Sequence, residues 1–175
     1  MSDKLIHLKW VLVDQIADLT IATAAIRNHI SGSEFDPHSQ YTITYFRMCS
    51  TSLIITLSKL FEALQHYGKE INSFPEPIRG NLISLRRDIE NKKIFQFRSK
   101  YSAHVIDDDT KTPISLAEGE RRYKDIVGET SGDLLNFCDW ICPDDYQQKP
   151  ESVISIVMKA RDHCLSVVGS CTHRP

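Results

Sequence analysis

With 175 residues, 41% of them hydrophobic and 25% charged, the chain has the length and composition of one compact globular domain, and we expect a single domain over residues 1–175. The net charge of −2 at pH 7 excludes a protein that binds nucleic acid through its overall charge, so any such binding must be local. Lys4 and Lys9 interrupt the first ten residues, and Lys59 and Glu62 interrupt the most apolar stretch, residues 52–64, which predicts a cytoplasmic protein with no membrane span and no signal peptide.

Apolar side chains recur at steps of three and four over residues 3 to 30, which predicts one long amphipathic helix ended by Ser31–Ser33. Its apolar face would consist of Leu5, Leu8, Leu12, Ile16, Leu19, Ala22 and Ile26. A second helix is predicted to run to about Tyr67, with Gly68 as its stop. Its apolar face would consist of Tyr45, Met48, Leu53, Leu57, Leu60, Phe61 and Leu64. The loop between the two helices is short, so they should lie antiparallel.

Pro75 and Pro77 predict the start of a third helix, which we expect to extend as far as Val105. The acidic run Asp107–Asp109 and the residues to Pro113 are typical of a loop.

A fourth helix should begin at Ser115, because Ser115 and Glu118 have the spacing of a capping box. Gly128 and Gly132 are expected to interrupt it before an apolar run that Pro143 closes. That run contains Leu134, Leu135, Phe137, Trp140 and Ile141.

A fifth helix is predicted from near Pro150 to Gly169. Its apolar positions are Val153, Ile156, Val157, Ala160, Cys164 and Val167. The sequence contains no strand pattern and no internal repeat. The predicted fold is therefore all-α, an antiparallel up-and-down bundle of about five helices.

The five cysteines include no CxxC pair, and their odd number argues against a framework of disulfides. Cys138 and Cys142 lie four residues apart, a spacing that suits two metal ligands on one helix face and equally suits two core positions. We expect reduced, buried thiols at Cys49, Cys138, Cys142, Cys164 and Cys171, with no metal and no cofactor.

The densest positive segment runs from Leu85 to Lys100, with six basic residues against Asp88 and Glu90, although an ordinary solvated helix face would look the same. The basic residues are Arg86, Arg87, Lys92, Lys93, Arg98 and Lys100. Common catalytic motifs such as a phosphate-binding glycine loop, HExxH and GxSxG are absent from the sequence.

Arg98 and His104 are separated by five residues at the end of the predicted third helix, a spacing that chance alone often produces. At about 100° per residue they flank an apolar stripe, an arrangement that suits an interface with a second chain. The stripe consists of Ile94, Phe97, Tyr101 and Val105.

The segment Arg98-Ser-Lys-Tyr-Ser-Ala-His104 resembles the Arg-x(4–6)-His motif of HEPN domains in its form R-x-K-x-x-A-H. The preceding helix, with Leu57-Ser-Lys-Leu-Phe-Glu62, is similar to that of abortive-infection-type HEPN proteins, so the resemblance covers roughly residues 40 to 145. It implies a metal-independent RNA endonuclease whose active site forms at a homodimer interface. It also implies a place in a toxin–antitoxin or antiviral-defence system, with an antitoxin protein as a partner.

On this hypothesis His104 moves protons near neutral pH and Arg98 places a fixed positive charge on the phosphate, and these two are the predicted catalytic residues. Lys100, Ser99 and Tyr101 are the predicted substrate-binding residues, with Lys100 adding charge at a phosphate and favouring deprotonated His104. RNA is the predicted substrate.

Two rival functions remain open. Ser99 stands where the family more often has Asn, Asp or His, which favours a non-catalytic HEPN-like module that binds RNA or a partner protein. The second rival is a purely structural helical bundle that serves dimerisation and binds no nucleic acid.

Each residue of the segment also has a structural interpretation. Arg98 could form an ordinary ion pair with Asp107 or Asp108, and His104 could interact with a helix dipole only. The aromatic side chains of Phe95, Phe97 and Tyr101 suit packing better than base stacking.

Overall fold

The computed structural model describes residues 2–102, 115–169 and 174. Within these ranges the regular secondary structure is helical throughout, which confirms the predicted all-α class. The elements are α1 (Ser2–Ile30), α2 (Gln40–His66), α3 (Gly68–Ile71), α4 (Ile78–Asn91), α5 (Ile94–Phe97) continued by a π-helical turn (Arg98–Ser102), α6 (Leu116–Val127), α7 (Ser131–Ile141) and α8 (Val153–Val168). None of the described helices is both long and apolar enough to cross a membrane.

Helices α1 and α2 form the predicted antiparallel hairpin. Near the connecting loop, His29 Nε2 and Thr42 Oγ1 lie 2.8 Å apart, and at the opposite ends His7 Nδ1 contacts the Tyr67 hydroxyl. Ser39 begins α2 by accepting a hydrogen bond from the Thr42 backbone N–H at 3.1 Å. Gly68 does not end α2 but begins the short α3.

The core lies between α1, α2, α4 and α8, since α1 packs against α2 and α8 and α4 packs against the same two helices. Fully buried side chains from the four helices include Leu8, Leu12, Leu19, Ile26, Leu53, Leu57, Leu60, Leu82, Leu85, Ile89, Val157 and Cys164. Two predicted core positions are wrong: Met48 is 62% exposed and Val167 is 58% exposed. Cys49, one residue beyond Met48, takes the inward position on α2.

The predicted third helix is not continuous to Val105, which itself lies outside the described residues. Helix α4 ends at Asn91, and Lys93 adopts a left-handed backbone with φ 57°, an ordinary way to end a helix. The break has a packing cause: in an unbroken helix Ile94 would point about 150° away from the buried face of Leu82, Leu85 and Ile89. After the turn at Lys93, Ile94 is fully buried and Phe97 is 8% exposed.

The predicted fourth helix is two helices. Ser115 accepts the Glu118 N–H at 3.4 Å, but the Glu118 carboxylate accepts from Arg121 and Arg122 instead of completing the capping box. These hydrogen bonds lower the pKa of Glu118 to about 2. Helix α6 ends at Gly128, and α7 starts with a complete capping box between Thr130 and Asp133.

Arg27 links the end of α1 to the end of α7. Its guanidinium lies 2.6 Å from Asp139 Oδ1 and 3.2 Å from Asp144 Oδ1, and it donates to the Cys142 carbonyl at 2.7 Å. The Arg27 side chain is only 16% exposed, so these contacts are partly shielded from water.

We expect Arg27→Ala to lower the free energy of unfolding by about 1.5–3 kcal/mol, because it removes charge-assisted bonds and leaves a carbonyl unpaired. Urea unfolding followed by circular dichroism would measure this. Arg79→Ala is the control, since Arg79 forms an exposed pair with Glu76 and should cost less than about 1 kcal/mol. Equal losses for both variants would contradict the structural role of Arg27.

Candidate functional site

The structure describes only part of the predicted catalytic segment. Arg98, Ser99 and Lys100 lie on the π-helical turn that follows α5. The backbone of Tyr101 belongs to the same turn, but its side chain is outside the described part of the chain, as is the whole of His104. The relation between Arg98 and His104 therefore stays a prediction.

Arg98 is held loosely by a carboxylate of α2. Its Nη1 atom lies 3.7 Å from Glu62 Oε1, and the two side chains are 37% and 47% exposed. The pair expected with Asp107 or Asp108 involves residues outside the described ranges. An exposed ion pair contributes about 0–1 kcal/mol, so Arg98 can exchange Glu62 for a phosphate at little cost.

Ser99 and Lys100 differ in how they could reach a substrate. The Ser99 hydroxyl donates a 2.7 Å hydrogen bond to the Phe95 carbonyl one turn earlier, so its proton is used within the helix. Lys100 is exposed on the turn. Of these two predicted substrate-binding residues, Lys100 is the more exposed to solvent.

The aromatic side chains before Arg98 belong to the core. Phe95 packs on Phe61 with ring centroids 5.3 Å apart, and Phe97 packs on Tyr123 at 6.3 Å. This confirms the interpretation of Phe95 and Phe97 as packing residues. It also weakens the argument from the apolar stripe for a second chain, because Ile94 and Phe97 are already covered by their own chain.

The basic segment from Leu85 to Lys100 presents charge to solvent on both sides of the break. Arg86, Arg87 and Lys93 are exposed, and within the described ranges no carboxylate lies within 4 Å of any of them. Lys92 extends over the ring of Trp140, with its Nζ 4.8 Å from the ring centroid. Exposed basic side chains are therefore concentrated in this segment of a protein of net charge −2, although the exposed Asp88 and Glu90 lie among them.

Of two surface pockets, one lies far from this segment and one lies beside it. One of about 510 Å³ is lined by Ile21, His29, Tyr41 and Tyr45 among others, at the start of α2. It lies some 17 residues along α2 from Glu62, or roughly 25 Å at 1.5 Å per residue, and so is remote from Arg98. A smaller pocket of about 220 Å³ lies at the break after α4, between Lys92 and the corner that joins α6 to α7.

The described cysteines are free and buried, as expected for Cys49, Cys138, Cys142 and Cys164, whereas Cys171 lies outside the described residues. Burial raises the pKa of Cys138 and of Cys164 to about 12, so both thiols stay protonated and are poor metal ligands. In the described ranges, no group of three or more His, Cys, Asp or Glu side chains is arranged to hold a metal ion.

Comparison with known proteins bears on the fold alone. No family model matches the chain, and no curated protein matches it in sequence. Among solved structures, the chain is similar to the integron cassette protein Vpc_cass2 from the mobile metagenome of V. paracholerae. The TM-score is 0.72 and the identity 27%, over 94% of this chain and 97% of that one. The helical arrangement is thus shared over nearly the whole length, and the name of that protein states a source and no activity.

Proposed function

We propose that this protein is a metal-independent RNA endonuclease of the HEPN type. It acts in the cytoplasm as a homodimer, within a toxin–antitoxin or antiviral-defence system. The observation that supports it best is the position of Arg98, the first residue of the motif. Arg98 stands half-exposed on a π-helical turn, an irregularity frequent at functional sites, and among the described residues its one ion pair is with an exposed carboxylate at 3.7 Å.

In the proposed reaction the 2′-hydroxyl of the RNA attacks the neighbouring phosphorus, and a His104 imidazole accepts its proton. The bond from phosphorus to the 5′-oxygen breaks, and the leaving oxygen takes a proton from the protonated His104 of a second chain. The products are a 2′,3′-cyclic phosphate and a free 5′-hydroxyl. Arg98 stabilises the negative charge that builds on the phosphate oxygens, and Lys100 adds a second positive charge.

A non-catalytic module that binds RNA or a partner protein is the alternative, and Ser99 favours it. The family's usual Asn, Asp or His at this position would offer a polar group to the substrate, whereas the Ser99 hydroxyl donates to Phe95. In that case the basic segment would bind RNA without cutting it, or an antitoxin-like partner would cover it.

We expect the wild-type protein to cut labelled single-stranded RNA in the presence of a chelator, and His104→Ala to leave the RNA intact. The cut ends should carry a cyclic phosphate, because the 2′-hydroxyl is the nucleophile. Electrophoresis of the products checks both points, and RNA with 2′-deoxy substitutions is the matched uncleavable substrate. Cleavage that stops with the chelator, or that His104→Ala performs at the wild-type rate, would contradict the proposal.

A further inference from the structure

The pocket of about 220 Å³ at the break after α4 is built by three separate elements. Lys92 reaches it from the end of α4, Gly128 from the end of α6, and Asn136 and Trp140 from one face of α7. Lys92 lies seven residues after Leu85 and so continues the buried line of α4, which explains why its side chain covers Trp140. The chain makes its left-handed turn directly afterwards, at Lys93.

The far wall of the pocket is fixed by its own hydrogen bonds. Asp133 Oδ2 accepts from the backbone N–H groups of Glu129 and Thr130 at 3.2 and 3.0 Å, and from the Thr130 hydroxyl at 2.7 Å. These bonds lower the pKa of Asp133 and hold its Oδ2 atom at the corner between α6 and α7. Besides this carboxylate, the aromatic and polar groups that line the pocket include an indole ring, an amide and an ammonium.

Those three groups match three parts of a nucleotide. An indole ring stacks with a base, an amide pairs with the donors and acceptors on a base edge, and an ammonium binds a phosphate. The pocket is smaller than the roughly 300 Å³ at which sites for drug-sized ligands begin, so it suits a single planar ring system. Lys93, the next residue along the chain, is exposed and adds a second positive charge, which favours a polyanion over a neutral peptide.

We infer that this pocket binds one base of a single-stranded RNA, stacked on Trp140 in the place that the Lys92 ammonium occupies in the free protein, with Lys92 moved to an adjacent phosphate. The choice of RNA as the ligand rests on the proposed function. Five residues separate Lys92 from Arg98, and the six Cα–Cα steps limit the distance between their backbones to about 20 Å. The pocket would thus hold a base within a few nucleotides of the cleaved bond and select where the RNA is cut.

The two tryptophans of the chain allow a direct test. Trp10, on α1, also has a lysine over its ring, with Lys9 Nζ at 4.3 Å, but it lines neither of the two pockets. In a Trp10→Phe, His104→Ala protein, which should bind RNA without cutting it, the fluorescence of Trp140 should be quenched saturably by a short oligoadenylate. In a Trp140→Phe, His104→Ala protein the same titration should leave the fluorescence of Trp10 unchanged.

Substitutions then distinguish stacking of a base on Trp140 from general electrostatic attraction of the RNA. Trp140→Ala should weaken oligoadenylate binding by about 5- to 150-fold, the range for loss of one stacked base. Because Trp140 also packs on the core, Asn136→Ala serves as a second variant at an exposed position. It should lower affinity and change the preference between oligoadenylate and oligouridylate. Lys92→Ala should reduce the salt dependence of binding.

Quenching of Trp140 without RNA cleavage by the wild type would contradict the proposed nuclease activity and support base binding in the pocket. Cleavage of RNA without quenching of Trp140 would support the nuclease activity and contradict base binding in the pocket. Equal quenching of Trp10 and Trp140, or quenching by an acidic peptide as strong as that by the oligonucleotide, would also overturn the inference.

Discussion

Arg98→Ala is expected to lower the rate of RNA cleavage by about 100- to 1,000-fold, the cost of removing one group that stabilises transition-state charge. His104→Ala should lower it by about 100- to 10,000-fold, as expected for loss of general acid–base catalysis. Arg98→Ala should stay folded, because the Arg98 side chain is 37% exposed and its only ion pair among the described residues is with Glu62. Cleavage rates with excess enzyme, compared with circular dichroism of each variant, would measure both effects.

Arg86→Ala provides the matched control for Arg98→Ala. Arg86 belongs to the same basic segment and is exposed, but it lies outside the motif. It should weaken RNA binding slightly, reduce the salt slope by about 1 and leave the chemical step unchanged. If Arg86→Ala slows cleavage as much as Arg98→Ala, the segment acts through its charge alone and Arg98 has no special role.

Glu62→Gln tests whether the carboxylate competes with RNA for Arg98. Since the pair is exposed and 3.7 Å long, its removal should cost little stability and should leave cleavage within a few fold of the wild type or raise it. A large loss of cleavage would instead identify Glu62 as a residue that positions Arg98.

The sequence was sufficient to predict features that depend on short-range periodicity. The face of α1 from Leu5 to Ile26 is buried at six of its seven predicted positions, with Ile16 partly buried. Ser115 begins a helix and Gly169 ends one because capping depends on neighbouring residues only. The antiparallel hairpin followed from the short loop between two long helices.

Features that depend on distant parts of the chain were missed. The break at Lys93 arises because Ile94 and Phe97 pack in a core to which other helices contribute, and periodicity within one helix cannot show this. Glu62 and Arg98 form an ion pair although they lie 36 residues apart in the sequence. The sequence alone favours the nearer acids Asp107 and Asp108 as partners of Arg98. The juxtaposition of Lys92 and Trp140 likewise joins the predicted third and fourth helices. The sequence showed the basic run that contains Lys92 and the glycine at position 128, but neither feature indicates that Lys92 contacts Trp140.

Gly128→Ala should lower the free energy of unfolding by about 2–4 kcal/mol and disturb the corner between α6 and α7. Gly128 has φ 88° and ψ 179°, a conformation almost restricted to glycine, which alone costs about 1–3 kcal/mol for other residues. A Cβ there would also lie 2.0 Å from Asp133 Cβ, so the Thr130–Asp133 capping box must move, at a further cost of about 0.5–2 kcal/mol.

Gly169→Ala isolates the backbone part of that effect. Gly169 ends α8 with φ 73° and ψ −176°, nearly the same conformation, but no atom of the described residues lies within 4 Å of a Cβ built there. Gly169→Ala should therefore cost only the conformational strain. Gly68→Ala should be close to neutral, since Gly68 has no positive φ and no close neighbour in the described part of the chain. Urea unfolding should rank the losses Gly128, Gly169, Gly68. Because Asp133 also lines the pocket next to Lys92, only Gly128→Ala should in addition weaken the quenching of Trp140 by oligoadenylate. If Gly128→Ala and Gly169→Ala lower the free energy of unfolding equally, the predicted clash between a Cβ at position 128 and Asp133 does not occur.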